Sequence, residues 1–162
     1  MPAGHPFLAE LNFPLDRMKL RVYTDGASRG NPGPAAYAVI LCSEEDKVIK
    51  KFARYIGITT NNEAEYRGLI AGIQEALKVG GKELEVVSDS ELTIRQMNGQ
   101  YAVKAPNLRP LHEECRSLAK KFTKITFRNV PREHPMIKRA DALANEELDI
   151  IKSLRPHGTP NQ

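Results

Sequence analysis

The chain has 162 residues, of which 41% are hydrophobic and 27% charged, with a net charge of +4. That size and balance describe one ordinary globular domain, and no apolar run approaches the length that spans a membrane. The two cysteines, Cys42 and Cys115, are too few for a secreted disulfide framework and point to a reducing, cytoplasmic setting, while the positive balance favours a polyanionic partner.

Residues 1–18 contain Pro2, Pro6 and Pro14 among Phe7, Leu8, Leu11 and Phe13, and read as an irregular arm rather than a cleaved signal. Residues 19–25 alternate as a first strand, and a glycine-rich loop follows over 26–34. Residues 36–42 and 48–56 are two more strands, joined so closely that an antiparallel hairpin is expected. A helix over 61–79 ends at Gly80-Gly81 and leads to a strand over 83–88. A short helix near 90–97, a turn at Asn98-Gly99, a helix over 108–122, a strand over 125–129 and a last helix complete the domain, 19–152. In the third helix Leu108, Leu111, Cys115, Leu118 and Phe122 form one apolar stripe, which buries the cysteine. The tail, 153–162, holds Pro156, Gly158 and Pro160 and reads as frayed.

The order β-β-β-α-β-α-α-β-α predicts an α/β fold with a mixed five-stranded sheet. Three strands are antiparallel, and two more run parallel to the first through right-handed crossovers, with helices flanking the sheet. Ligands of such sheets bind beyond the carboxyl ends of the parallel strands. Asp25 and Asp89 each close a strand there. Glu65 borders the helical stripe of Tyr66, Leu69, Ile73, Ala76 and Leu77, and Asp141 recurs at helical spacing with Ile137, Ala144, Leu148 and Ile151. A charge inside an apolar face needs compensation, and four such acids point to a divalent cation.

The segments that carry these acids are Tyr23-Thr24-Asp25-Gly26-Ala27-Ser28-Arg29-Gly30-Asn31-Pro32-Gly33-Pro34, Thr59-Thr60-Asn61-Asn62-Glu63-Ala64-Glu65-Tyr66, Ser88-Asp89-Ser90 and Ala140-Asp141-Ala142-Leu143-Ala144. Read as local structure, Thr60 or Asn61 caps one helix and Ser90 caps the next. In this order, over residues 19–152, they resemble the type 1 ribonuclease H family, in a minimal form without the family's basic protrusion. The resemblance implies an endonuclease that cuts the RNA strand of RNA/DNA hybrids, leaving 5′-phosphate and 3′-hydroxyl ends. It implies that Asp25, Glu65, Asp89 and Asp141 are catalytic and hold Mg²⁺ or Mn²⁺, two ions with substrate bound.

By the same resemblance Ser28, Asn31, Asn61 and Asn62 line the minor groove, where 2′-hydroxyls distinguish RNA from DNA, and Thr60 holds a DNA-strand phosphate. Ser90 and Glu91 complete the binding set, although Glu91 replaces a glutamine common in the family and, ionised, donates no hydrogen bond. Before Asp141 the family places a mobile histidine or a glutamate that assists proton transfer or product release. This chain offers both Glu133 and His134. With residues 98–109 running almost directly into the next helix, grip falls to Arg29, Lys104, Arg109, Arg116, Lys120 and Lys121. Minimal members include some that also attack double-stranded RNA, so a broader duplex ribonuclease is one alternative and an inactive nucleic-acid-binding module another. A monomer that engages no membrane is expected.

Overall fold

The computed structural model describes residues 18–154. The predicted arm and most of the predicted tail lie outside the described residues. Met18 is an exception, because it is 1% exposed and packs in the core, where its carbonyl accepts from the Lys82 and Glu83 N–H groups. At the other end Ser153 closes the last helix, one residue past 152.

Five strands form one sheet in the order β3-β2-β1-β4-β5: β1 (Lys19–Ser28), β2 (Gly33–Ser43), β3 (Val48–Thr59), β4 (Glu83–Ser88) and β5 (Lys124–Asn129). β1, β2 and β3 pair antiparallel, while β4 runs parallel to β1 and β5 parallel to β4. The helices are α1 (Asn61–Lys78), α2 (Glu91–Met97), α3 (Arg109–Ala119) and α4 (Pro135–Ser153). Element order and topology agree with the sequence reading. The strand ends do not, because β1 runs past Asp25 to Ser28 and pairs with β2 as far as Ser28 opposite Ala35. The antiparallel ladder continues through residues that composition alone assigns to a loop.

Alternation along the strands divides the interior. Leu20, Val22, Val39, Leu41 and Val86 face α1 and α3, meeting Tyr66, Leu69, Ile73, Leu111 and Cys115. Tyr23, Ala38, Ile40, Cys42 and Val87 face the other way, against Met136, Ile137, Ala140 and Ala144 of α4. α1 lies very close to the sheet, because a Cβ at Gly72 would sit 3.0 Å from both Thr24 and Val22 side chains. No helix among the described residues is long and apolar enough to cross a membrane.

Candidate active site

The parallel pairing of β1 with β4 ends at Tyr23 opposite Val87, and the two strands part just before Asp25 and Asp89. The Gly26 N–H, past the end of that ladder, donates to Glu65 Oε1 at 2.8 Å. Glu65 reaches it because Gly26 has no side chain: a Cβ there would lie 2.5 Å from the Ala64 carbonyl carbon and the Glu65 nitrogen. Asp89 follows the last residue of β4, in the two-residue step before α2, whose N-cap Ser90 accepts from the Thr93 N–H. Asp25, Glu65 and Asp89 thereby each offer a carboxylate oxygen, all within 4.8 Å of one another.

Asp141 corrects the sequence reading, because it is exposed rather than buried in the apolar face. The buried positions of α4 are Met136, Ile137, Ala140, Ala144 and Leu148, and Asp141 lies one residue, about 100° of helix, beyond Ala140. From that flank it reaches the same cavity, and its charge helps to raise the Asp25 carboxyl.

Burial lifts the Asp25 carboxyl far above the usual carboxylate range, and the charges of Glu65, Asp89 and Asp141 add to it. Glu65 is raised by burial and then by Asp89, with the Gly26 N–H partly opposing. Among the described residues no lysine or arginine forms an ion pair with any of the four acids. Asp89 Oδ1 is buried and finds no hydrogen-bond partner among those residues. An all-oxygen donor set with an orphaned buried carboxylate oxygen fits a hard divalent cation, which supplies the missing positive charge.

A cavity of about 720 Å³ surrounds the acids and is lined also by Ser28, Asn61, Ser90, Glu91, Arg132, Glu133 and Lys138. Of the substrate residues expected from sequence, Ser28, Asn61, Ser90 and Glu91 are thus brought together, and Asn31, Thr60 and Asn62 are not in the lining. Asn31 still touches the group, because its Oδ1 accepts from the Asn61 N–H at 3.0 Å. Thr60 caps α1, its hydroxyl oxygen accepting from the Glu63 N–H at 3.2 Å. Glu91 is ion-paired with Arg95 at 3.0 Å.

Glu133 and His134 separate. Glu133 is exposed on the cavity wall, whereas His134 caps α4, Nδ1 accepting from the Met136 N–H at 3.1 Å with its ring against Tyr23. His134 thus caps the helix, while Glu133 stands on the cavity wall. Sequence reasoning gave no part to Gly26, Arg132 or Lys138. Lys138 was discoverable, being one helical turn before Asp141 and therefore on its side of the helix. Of the basic set, Arg29 is bound to Asp149, and Arg109 and Arg116 line a separate cavity with Tyr101, which is half-exposed beneath the Arg95 guanidinium.

Residues 23–147 match the family model described as reverse transcriptase-like. The chain is 40% identical over 131 residues to the ribonuclease HI of Halobacterium salinarum, spanning 81% of this chain and 65% of that protein. The crystal structure of that archaeal enzyme superposes with a TM-score of 0.78, covering 82% of this chain and 98% of the other. The chain belongs to the ribonuclease H family. It is also 44% identical over 133 residues to the bifunctional protein Rv2228c of Mycobacterium tuberculosis, covering 82% of this chain and only 36% of that protein. The chain therefore spans about a third of that longer relative. A structure of LC11-RNase H1 in complex with RNA/DNA hybrid, 38% identical, superposes with a TM-score of 0.77 over 84% of this chain and 99% of that one.

Proposed function

We propose that this chain is a metal-dependent endoribonuclease that hydrolyses the RNA strand of RNA/DNA hybrids, acting as a cytoplasmic monomer. The observation that carries the reading is the convergence of Asp25, Glu65 and Asp89 within 4.8 Å, with no ion pair to any of them among the described residues. The family relationship, and the hybrid bound by LC11-RNase H1, support the choice of substrate.

Asp25, Glu65, Asp89 and Asp141 would hold Mg²⁺ or Mn²⁺, two ions with substrate bound, which supply an acidified water and charge stabilisation at the departing 3′ oxygen. The chain's own residues set the stage. Gly26 fixes the Glu65 carboxylate through its N–H, so this acid points into the cavity before substrate arrives. Asp25 meets Glu65 and Asp89 within 4.8 Å, with Asp141 lining the same cavity. Arg132 and Lys138 put positive charge on the wall of an otherwise acidic cavity, where a phosphodiester anion needs it. Ser28, Asn61 and Ser90 present short polar groups suited to 2′-hydroxyls, with Thr60 and Asn62 beside Asn61 at the helix entrance and Asn31 bonded to the Asn61 N–H from the β1–β2 loop. Glu133, exposed at the wall, would serve proton transfer at the leaving oxygen. Arg109, Arg116 and Tyr101 give a basic and aromatic groove for the rest of the duplex.

The test is cleavage of one end-labelled sequence as RNA/DNA hybrid, double-stranded RNA, single-stranded RNA and double-stranded DNA, with Mg²⁺ or Mn²⁺, beside Asp89→Asn. Metal-dependent cutting of the hybrid's RNA strand, lost in the variant, is the expected result. Equal cutting of double-stranded RNA would replace hybrid specificity with a broader duplex activity, and no cutting of any duplex would leave a binding module.

A further inference from the structure

Asp141 is the exposed member of the four acids, so core packing does not hold its side chain. Hydrogen bonds do. Asn145, one turn further along α4, donates through Nδ2 to Asp141 Oδ1 at 3.2 Å and to the Asp141 carbonyl at 3.0 Å. The Asn145 amide is itself fixed from the other side. Arg29 Nη2, from the loop between β1 and β2, donates to Asn145 Oδ1 at 3.4 Å and to the Asn145 carbonyl at 3.2 Å. The same nitrogen lies 2.6 Å from Asp149 Oδ1, one turn beyond Asn145. An amide whose oxygen accepts from arginine must turn its NH₂ the opposite way, toward Asp141.

We propose that Asn145, Arg29 and Asp149 form a positioning relay that presents the Asp141 carboxylate to the metal site. The relay rests on the metal-site reading above and adds the residues that hold its fourth acid. Asn145 engages Oδ1 and leaves the other oxygen of Asp141 available to a cation. Arg29 prevents the amide from flipping, and Asp149 anchors the guanidinium on α4. The relay crosses from the sheet to the helix: Arg29 directly follows Ser28, so the loop beside the cavity and the acid on α4 are held by one guanidinium. Arg29 is thereby a positioning residue, and its charge is already spent on Asp149 rather than free for a phosphate.

The experiment is a calorimetric titration of Mn²⁺ into the full chain, comparing wild type, Asn145→Ala, Arg29→Met, Asp141→Asn and the double variant Asp141→Asn/Asn145→Ala. Asn145→Ala is expected to weaken Mn²⁺ binding by about tenfold, the low end of losses seen when a partner of a metal ligand is removed, and Arg29→Met by about threefold. The decisive comparison is the double variant, in which losing Asn145 has no further effect because the carboxylate it orients is gone. In cleavage of the hybrid, Asn145→Ala lowers kcat and leaves KM unchanged. Wild-type Mn²⁺ affinity in Asn145→Ala, with affinity lost in Asp141→Asn, would overturn the relay and leave the metal reading intact. An equal Asn145→Ala effect with and without the Asp141 carboxylate would make Asn145 merely structural and also overturn it. Unchanged affinity in Asp141→Asn would remove both the relay and the role of Asp141 as a ligand.

Discussion

Helix α1 carries two glutamates that are equally hidden from solvent, Glu65 and Glu75, each 6% exposed. Glu75 is paired, with Lys50 at 2.7 Å and Lys78 at 3.3 Å. Burial alone would raise its carboxyl, yet the two ammonium groups outweigh that and hold it below the ordinary range. Glu65 has instead two acids within 4.8 Å and the Gly26 N–H, and its carboxyl is raised. One buried carboxylate is arranged for the stability of the fold. The other lies among acids, where burial and Asp89 oppose its charged form, surroundings that favour a cation.

The largest effect should come from removing a charge at the unpaired end. Asp25→Asn is predicted to lower hybrid cleavage roughly 10³-fold or more, since catalytic groups acting as a unit fail together. The same substitution should raise the metal-free melting temperature near neutral pH, because the crowded, buried Asp25 carboxyl must keep a proton that the unfolded chain releases, and asparagine removes that cost. Thermal unfolding in chelator checks this, and a lower melting temperature would refute the account of a crowded cluster.

Next in size is Gly26→Ala, which forces a methyl against the α1 backbone at Ala64 and Glu65. Overpacking of that kind costs about 1–3 kcal/mol, and it shifts the helix that carries Glu65, so denaturant unfolding and cleavage should fall together.

Glu75→Gln should cost less, about 1 kcal/mol, because Lys50 and Lys78 are half or more exposed and are solvated when their partner is lost, and it should leave cleavage unchanged. The two glutamates then separate by pH. The folded Glu75 carboxyl is lower than in the unfolded chain, so its contribution is present above about pH 4.3 and disappears as pH falls through its folded value. Asp25 and Glu65 have folded carboxyls above their unfolded values of about 4, so the native state keeps protons that the unfolded chain has released. Metal-free stability must therefore fall as pH rises from about 4 through neutrality, and Asp25→Asn should flatten that slope while Glu75→Gln does not. Urea unfolding at several pH values in chelator measures both slopes.

The smallest effect concerns the loop before α4. His134→Ala removes a helix cap, with a loss of about 1 kcal/mol, and retains cleavage, whereas Glu133→Gln retains stability and slows cleavage. Loss of cleavage in His134→Ala at unchanged stability would restore the histidine to the chemistry.

Much of this contrast was legible before folding. Asp25 and Asp89 stood out because each follows an alternating run, and the polar segment from Thr59 to Asn62 announced a capped helix start. Glu65 was placed by its border position on an amphipathic stripe. For Asp141 the spacing predicts burial and the structure shows exposure, because helical spacing cannot distinguish the centre of an apolar face from its flank. His134 and Glu133 are adjacent in sequence and equally plausible there. Their different surroundings depend on how the chain turns into α4.

By itself the sequence determined what local periodicity and residue chemistry determine: the order of strands and helices, the mixed sheet, and four acids carried on separate elements. Only the tertiary structure decided which groups meet. It set three carboxylates within 4.8 Å, gave the Gly26 N–H to Glu65, and tied Arg29 to Asn145, 116 residues away. Contacts between distant residues depend on how elements pack through space, and no short-range pattern in a chain records that.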